Sequence, residues 1–244
     1  VLYLDGGWQT IIDALRRAAT AAGAKTMSGA PAVALERRGR SVSAVRLADG
    51  TLLPSAAVIV TGSPADVDAL AGTSFATTLP PPVRHATLDI ALRSLPNPKR
   101  LVAFGVDQPL YFSVHSAVAK LAPAGGAVLH VSKYLGVDEL AGRETEQQLE
   151  RVVDQLQPGW REVVDSRQFL PNLTVTHSML TAAGGGAAGR PSARLASVDN
   201  VFIAGDWVGL RGQLSDAAAA SALDAVAALA AMSPTLDREP ALAS

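Results

Sequence analysis

The sequence has no cysteine. That excludes a disulfide scaffold, a thiol nucleophile and a zinc cluster built on thiolates, and it fits a reducing compartment. Only four histidines are present, His85, His115, His130 and His177, and none shows the short spacing of a helical metal motif, so no metal site is expected. Charged residues make up 18%, with 21 basic against 22 acidic side chains, and there is no cationic excess to neutralise phosphates. A nucleic-acid partner is therefore not expected. No apolar run reaches the roughly 20 residues of a membrane span; Ala217–Met232 is mostly alanine and carries Asp224. The opening Val1-Leu2-Tyr3-Leu4-Asp5 lacks the basic n-region of a signal peptide and has no methionine. A cytoplasmic chain, and a portion of a longer protein, are the expectations. Neither a G-x-S-x-G elbow nor a G-x-x-x-x-G-K-[ST] loop occurs.

What is present is a folding composition: 48% hydrophobic over 244 residues, enough for a substantial core. Trp8–Ala22 places Ile11, Ile12, Leu15, Ala18 and Ala19 on one helical face, and Gly23 is placed to stop it. Ala30–Glu36 and Val42–Leu47 read as strands around an Arg-Arg-Gly-Arg-Ser turn, and Asp49-Gly50 is a second turn signal. Ala56–Thr61 is a continuous apolar run, the pattern of a strand buried on both faces. It ends at Gly62-Ser63-Pro64, where Ser63 is the expected N-cap of a helix over 65–70. Beyond the Pro/Thr-rich junction Thr73–Pro82 the character changes. Strands are expected at Ala86–Leu92, Arg100–Gly105, Leu110–His115 and Ala127–Tyr134, and an amphipathic helix at Glu144–Leu156.

Gly184, Gly186 and Gly189 spell G-x-G-x-x-G. That pattern holds a pyrophosphate only when it joins a strand to a helix N-terminus, and here Pro191 follows with no helix after it. A loop is the expectation. More informative is Asn200–Ala204, a short apolar strand, followed by Gly205-Asp206-Trp207, a loop through Gly212, and a small-residue helix opening near Leu214-Ser215. A strand delivers an acid to its C-terminal end, a glycine permits close backbone approach, and a helix start presents unpaired N–H groups and the positive end of its dipole.

This stretch resembles the C-terminal flavin-binding motif of the phytoene desaturase, amine oxidase and protoporphyrinogen oxidase superfamily. That pattern is AGD at a strand end, then a helix of the form E-G-A-x-x-S-G. The matching residues are Ala204-Gly205-Asp206 and Asp216-Ala217-Ala218-Ala219-Ala220-Ser221-Ala222, with alanine at both motif glycines. The segment Gly6-Gly7-Trp8 with its helix, Val33, Asp49-Gly50 and Val58–Pro64 is similar to the same superfamily, closest to bacterial phytoene-dehydrogenase-like oxidoreductases.

The resemblance implies an α/β fold: a partial three-layer, Rossmann-like FAD-binding base from the chain ends (1–79 and 181–232), an inserted α+β substrate domain (80–180) and a frayed tail (233–244). It implies FAD as cofactor. Asp206 would meet a ribityl hydroxyl, the amides of Leu214 and Ser215 the flavin ring, and Val33 the adenine through its backbone. Gly62, Ser63, Gly205, Trp207 and Gly212 would line the same cofactor site. The activity implied is dehydrogenation of a hydrophobic, isoprenoid- or carotenoid-like substrate, with Tyr111, His115 and Tyr134 as candidate cavity residues and no assigned catalyst. Amine oxidation is an alternative; the strand Ala86–Leu92 has no lysine for it, and Lys133 is the substitute candidate. Because no strand-linked G-x-G-x-x-G is present, the other alternative is an incompetent portion that needs a partner chain to supply that half. Peripheral membrane contact stays open.

Overall fold

The computed structural model describes residues 3–232; the expected tail lies outside the described residues. In chain order the elements are α1 (Gln9–Ala21), β1 (Ala32–Arg38), β2 (Ser41–Leu47), β3 (Leu52–Pro54), β4 (Val58–Val60), α2 (Pro64–Ala71) and α3 (Phe75–Thr78). There follow β5 (Val83–Leu92), β6 (Val102–Phe104), β7 (Leu110–Val114), β8 (Ala127–Tyr134), α4 (Arg143–Leu156), α5 (Trp160–Val163) and β9 (Val164–Thr176). β10 (Val201–Ile203) and α6 (Ser215–Ala230) complete the mixed α/β fold. These elements form two compact units, one of residues 3–26 and 83–175, the other of residues 27–82 and 176–232.

In the second unit β1 and β2 form an antiparallel hairpin whose turn passes through Gly39 at φ +62°, a conformation glycine adopts without Cβ strain, and β3 extends the sheet. The apolar run ahead of Pro64 becomes β4, which pairs in parallel with β10. Both strands lead into helices. α2 starts on a capping box: Ser63 Oγ accepts from the Asp66 N–H at 3.2 Å and Asp66 Oδ2 accepts from the Ser63 N–H at 2.8 Å. α6 follows β10 after a loop. Val60, Val67, Val201, Phe202, Ile203, Trp207 and Ala225 share one core. The buried Asn200 side chain ties it to the hairpin, accepting from Val42 N–H at 2.7 Å and donating to Val42 O and Ala56 O, each at 2.8 Å.

The first unit is built on a five-stranded sheet in the order β6-β7-β8-β5-β9. Antiparallel register sets Asp89 opposite His130 and Ser113 opposite His130 on its other side. Alternation then divides the faces. Leu88, Ile90, Phe112, Leu129 and Val131 meet Leu149 and Val153 of α4 and Trp160 of α5. His85, Thr87, Asp89, Tyr111, Ser113, His130, Ser132 and Tyr134 occupy the opposite face.

Three expectations change. β9 was not foreseen: it is an exposed edge strand interrupted by Pro171, so it shows neither alternation nor a continuous apolar run. α1 forms as expected, yet buries none of its residues, and Leu15 is 65% exposed. His115 is not a strand residue, because β7 ends at Val114 and His115 opens a single 3₁₀ turn.

Candidate functional site

Asp206 stands one residue, Gly205, beyond the β10–Ala204 segment, at the C-terminal end of the parallel pair, where Ala204 N–H donates to Val60 O at 3.0 Å. Its side chain is 14% exposed. Three donors already converge on it. Oδ2 accepts from Thr176 Oγ1 at 2.5 Å and from His177 N–H at 2.8 Å, and Oδ1 lies 2.8 Å from His177 Nδ1. Burial pushes the carboxyl pKa up, but the bonds from Thr176 and His177 outweigh it and hold the group below the ordinary carboxylate value. Asp206 is thus ionised at neutral pH and carries a His177 imidazole, itself 39% exposed, on one of its oxygens.

The neighbouring residues are fixed by close approach. A side chain at Gly205 would come within 2.8 Å of Trp207 Nε1. Gly205 N–H also donates to Ser221 Oγ at 3.0 Å, which ties the strand end to α6. Trp207 is fully buried; Nε1 donates to Gly62 O at 3.3 Å and the ring lies 5.3 Å from Phe75. Its side chain belongs to the core, so only its backbone is free for a ligand.

Gly212, at φ +70°, leaves no room for a Cβ, which would meet Asp216 Cβ at 2.7 Å, and its carbonyl accepts from Arg190 Nη1 at 3.0 Å. Leu214 is the one non-glycine residue with positive φ among those described, at φ 51° and ψ −125°. The amides of Leu214 and Ser215 have no protein partner, while Ala218 N–H returns to Leu214 O at 3.0 Å. The start of α6 therefore presents uncommitted donors at the positive end of a 16-residue helix.

Val33 lies in a concavity of about 510 Å³ lined also by Val45, Val60, Gly62, Asp66 and Leu70. Gly62 is required there, since a Cβ would stand 2.7 Å from Asp66 Cβ. Ser63 is spent on the α2 cap. The glycine-rich loop closes on itself: Gly184, Gly185 and Gly186 donate to Thr181 Oγ1, Ala182 O and Thr181 O, and Gly186–Gly189 is a 3₁₀ turn. It does not open a helix.

In the first unit Tyr111 packs against Phe104 and His130, with ring centroids 5.3 and 6.3 Å away. His115 stacks on His130 at 5.1 Å and 18°. Tyr134 lies edge-on to His85 at 3.9 Å. Burial and the neighbouring His130 hold the pKa of His115 below its ordinary value. Lys133 occupies the helix-covered face and is ion-paired to Glu139 at 2.6 Å. Sequence reasoning missed His177, Thr176 and the pairing of Asp89 with His130, whose Nδ1 stands 2.5 Å from Asp89 Oδ1. Only strand register could have revealed that pair.

No protein-family model matches the sequence, and no curated protein matches it. Among solved structures the chain is similar to an oxidoreductase from Methanosarcina mazei, with a TM-score of 0.65 at 17% identity over 91% of this chain and 55% of that one. The chain shares its fold with oxidoreductases. It is similar also to a putative protoporphyrinogen oxidase from Exiguobacterium sp. 255-15, with TM-score 0.58, 16% identity and coverage of 96% and 51%. A cyclohexylamine oxidase from Brevibacterium oxydans gives TM-score 0.55, 14% identity and coverage of 85% and 49%. The chain spans about half the length of these structures. Among the described residues no helix is long and apolar enough to cross a membrane.

Proposed function

We propose that the chain carries the flavin-facing part of a FAD-dependent oxidoreductase. The observation that carries this reading is the end of β10: an ionised carboxylate at Asp206, followed by a helix whose first amides, at Leu214 and Ser215, are uncommitted. Those donors suit an electron-rich ring edge, and the glycine at 212 keeps the approach to the helix start free of a side chain. Asp206 would orient the polyol through His177 or through its remaining acceptor site, and Val33 with Gly62 would line the concavity for the nucleotide end. The chemistry such a cofactor supplies is acceptance of a hydride from the substrate. The protein's own part is to position and to exclude water.

The substrate in this reading has a hydrophobic body, isoprenoid- or carotenoid-like. Phe104, 73% exposed, and Val102 lie on the same sheet face as Tyr111 and Ser113 and support it. Amine oxidation is less well supported, because Lys133 is engaged by Glu139 on the other face. One observation favours the second reading, in which another polypeptide completes the cofactor site. The amides of Gly184–Gly186 are used within their own loop, so no dinucleotide grip exists among the described residues. Titration with FAD and with riboflavin, followed by quenching of flavin fluorescence, tests both. Binding of both is expected, with only a modest gain for FAD from the Val33 concavity and at least a tenfold weakening of each by Asp206→Ala; no quenching by either refutes the flavin assignment, and tight binding of FAD alone refutes the need for a completing chain.

A further inference from the structure

Among the described residues four buried side-chain atoms lack a hydrogen-bond partner, and three of them, His85 Nε2, Thr87 Oγ1 and Ser132 Oγ, belong to one face of the five-stranded sheet. Thr87 and Ser132 are 1% and 0% exposed and sit opposite one another in the β5–β8 register. Buried hydroxyls without partners carry a standing cost, so their place here marks a face that packing alone does not account for.

Beside them Asp89 holds His130 Nδ1 at 2.5 Å. A carboxylate on Nδ1 selects the tautomer with the proton there, which leaves Nε2 as an acceptor. His115 stacks on His130, Tyr3 packs against His115 at 4.9 Å, and the Tyr3 hydroxyl reaches Tyr111 and Ser113. Tyr111 and His130 thus share the sheet face of the hydroxyls, with Tyr3 and His115 packed on them, and flat π surfaces accept another flat ring.

We infer that this face binds an aromatic or conjugated ring bearing a hydroxyl group, whose O–H donates to His130 Nε2 while Asp89 positions the imidazole. Taking that ligand as the substrate rests on the oxidoreductase reading; the site itself does not. It adds a polar anchor to the hydrophobic body proposed above, with Val102 and Phe104 at the apolar end of the same face.

The test uses the full chain, with 1-naphthol as the probe and naphthalene as the matched ring without the hydroxyl. Binding is followed through the imidazole C–H signals of the four histidines. 1-Naphthol should move the His130 and His115 signals and bind about tenfold tighter than naphthalene, the worth of one hydrogen bond to a desolvated acceptor. His130→Phe keeps a ring and should abolish that difference. Asp89→Asn should shrink it and shift the His130 nitrogen resonances toward the other tautomer, which loss of packing alone would not do. Equal affinities for the two probes in the wild type, or shifts confined to His177, overturn the inference without any variant. A FAD titration in parallel separates the two readings. Naphthol selectivity without flavin binding sinks only the flavin reading, and flavin binding without selectivity sinks only this one.

Discussion

Replacing Asp206 by asparagine swaps one carboxylate oxygen for an NH₂ group. An NH₂ in the place of Oδ2 would face the fixed His177 N–H, and one in the place of Oδ1 would force His177 to move its proton to Nε2 so that Nδ1 accepts; either way the bonds lose their ionised acceptor. Hydrogen bonds to an ionised acceptor are worth about 1.5–3 kcal/mol each, and bonds sharing one acceptor do not add fully, so a loss of about 2–3 kcal/mol is expected. The charge supplies a second signature. The native carboxyl titrates below its ordinary value of 3.8, so the stabilisation it confers is complete above that value and is lost as pH falls through the lower native pKa. The difference between wild type and Asp206→Asn should therefore be flat from neutral pH down to about 5 and shrink below pH 4. Native-state hydrogen exchange at the Ala204 amide, which donates to Val60 O, reads the stability of this unit directly. A difference under about 0.5 kcal/mol at neutral pH, or one that does not diminish in acid, refutes the idea that Thr176 and His177 are held by a charge.

Asn200→Ala should cost about 3 kcal/mol, because it strips partners from Val42 N–H, Val42 O and Ala56 O in one step; urea unfolding with an unchanged slope checks it. Leu214→Gly should stabilise the chain by roughly 1 kcal/mol, since φ 51° with ψ −125° is strained for a residue with a Cβ, and a lowered melting temperature would contradict that.

The readable parts of the fold were those where one local signal coincides with burial. Ala127–Tyr134 forms a strand over the expected residues because its odd-numbered positions, Leu129 and Val131, are core. Ser63-Pro64 starts α2 because cap chemistry is local. α1 shows the limit of periodicity: a pattern states which face is apolar, and nothing about what meets it. The candidate site was legible to the same degree. Asp206 could be placed from the strand–glycine–acid–helix order alone, whereas its partner His177 lies 29 residues away with no spacing to betray it. Asp89 and His130 are 41 residues apart and come together only through the pairing of β5 with β8. Trp207 illustrates the converse, a residue adjacent to the motif whose side chain serves packing.

The two-faced sheet bears on how this protein tolerates insertions and deletions. Moving β8 by one residue against β5 would send Leu129 and Val131 to the histidine side and turn His130 and Ser132 toward Leu149 and Val153. A length change within β5 or β8 is thus far more damaging than a substitution on either face, and the entry to β8 is itself tied to glycine, with Gly125 at φ +83° and a Cβ at Gly126 standing 3.1 Å from Leu92 O.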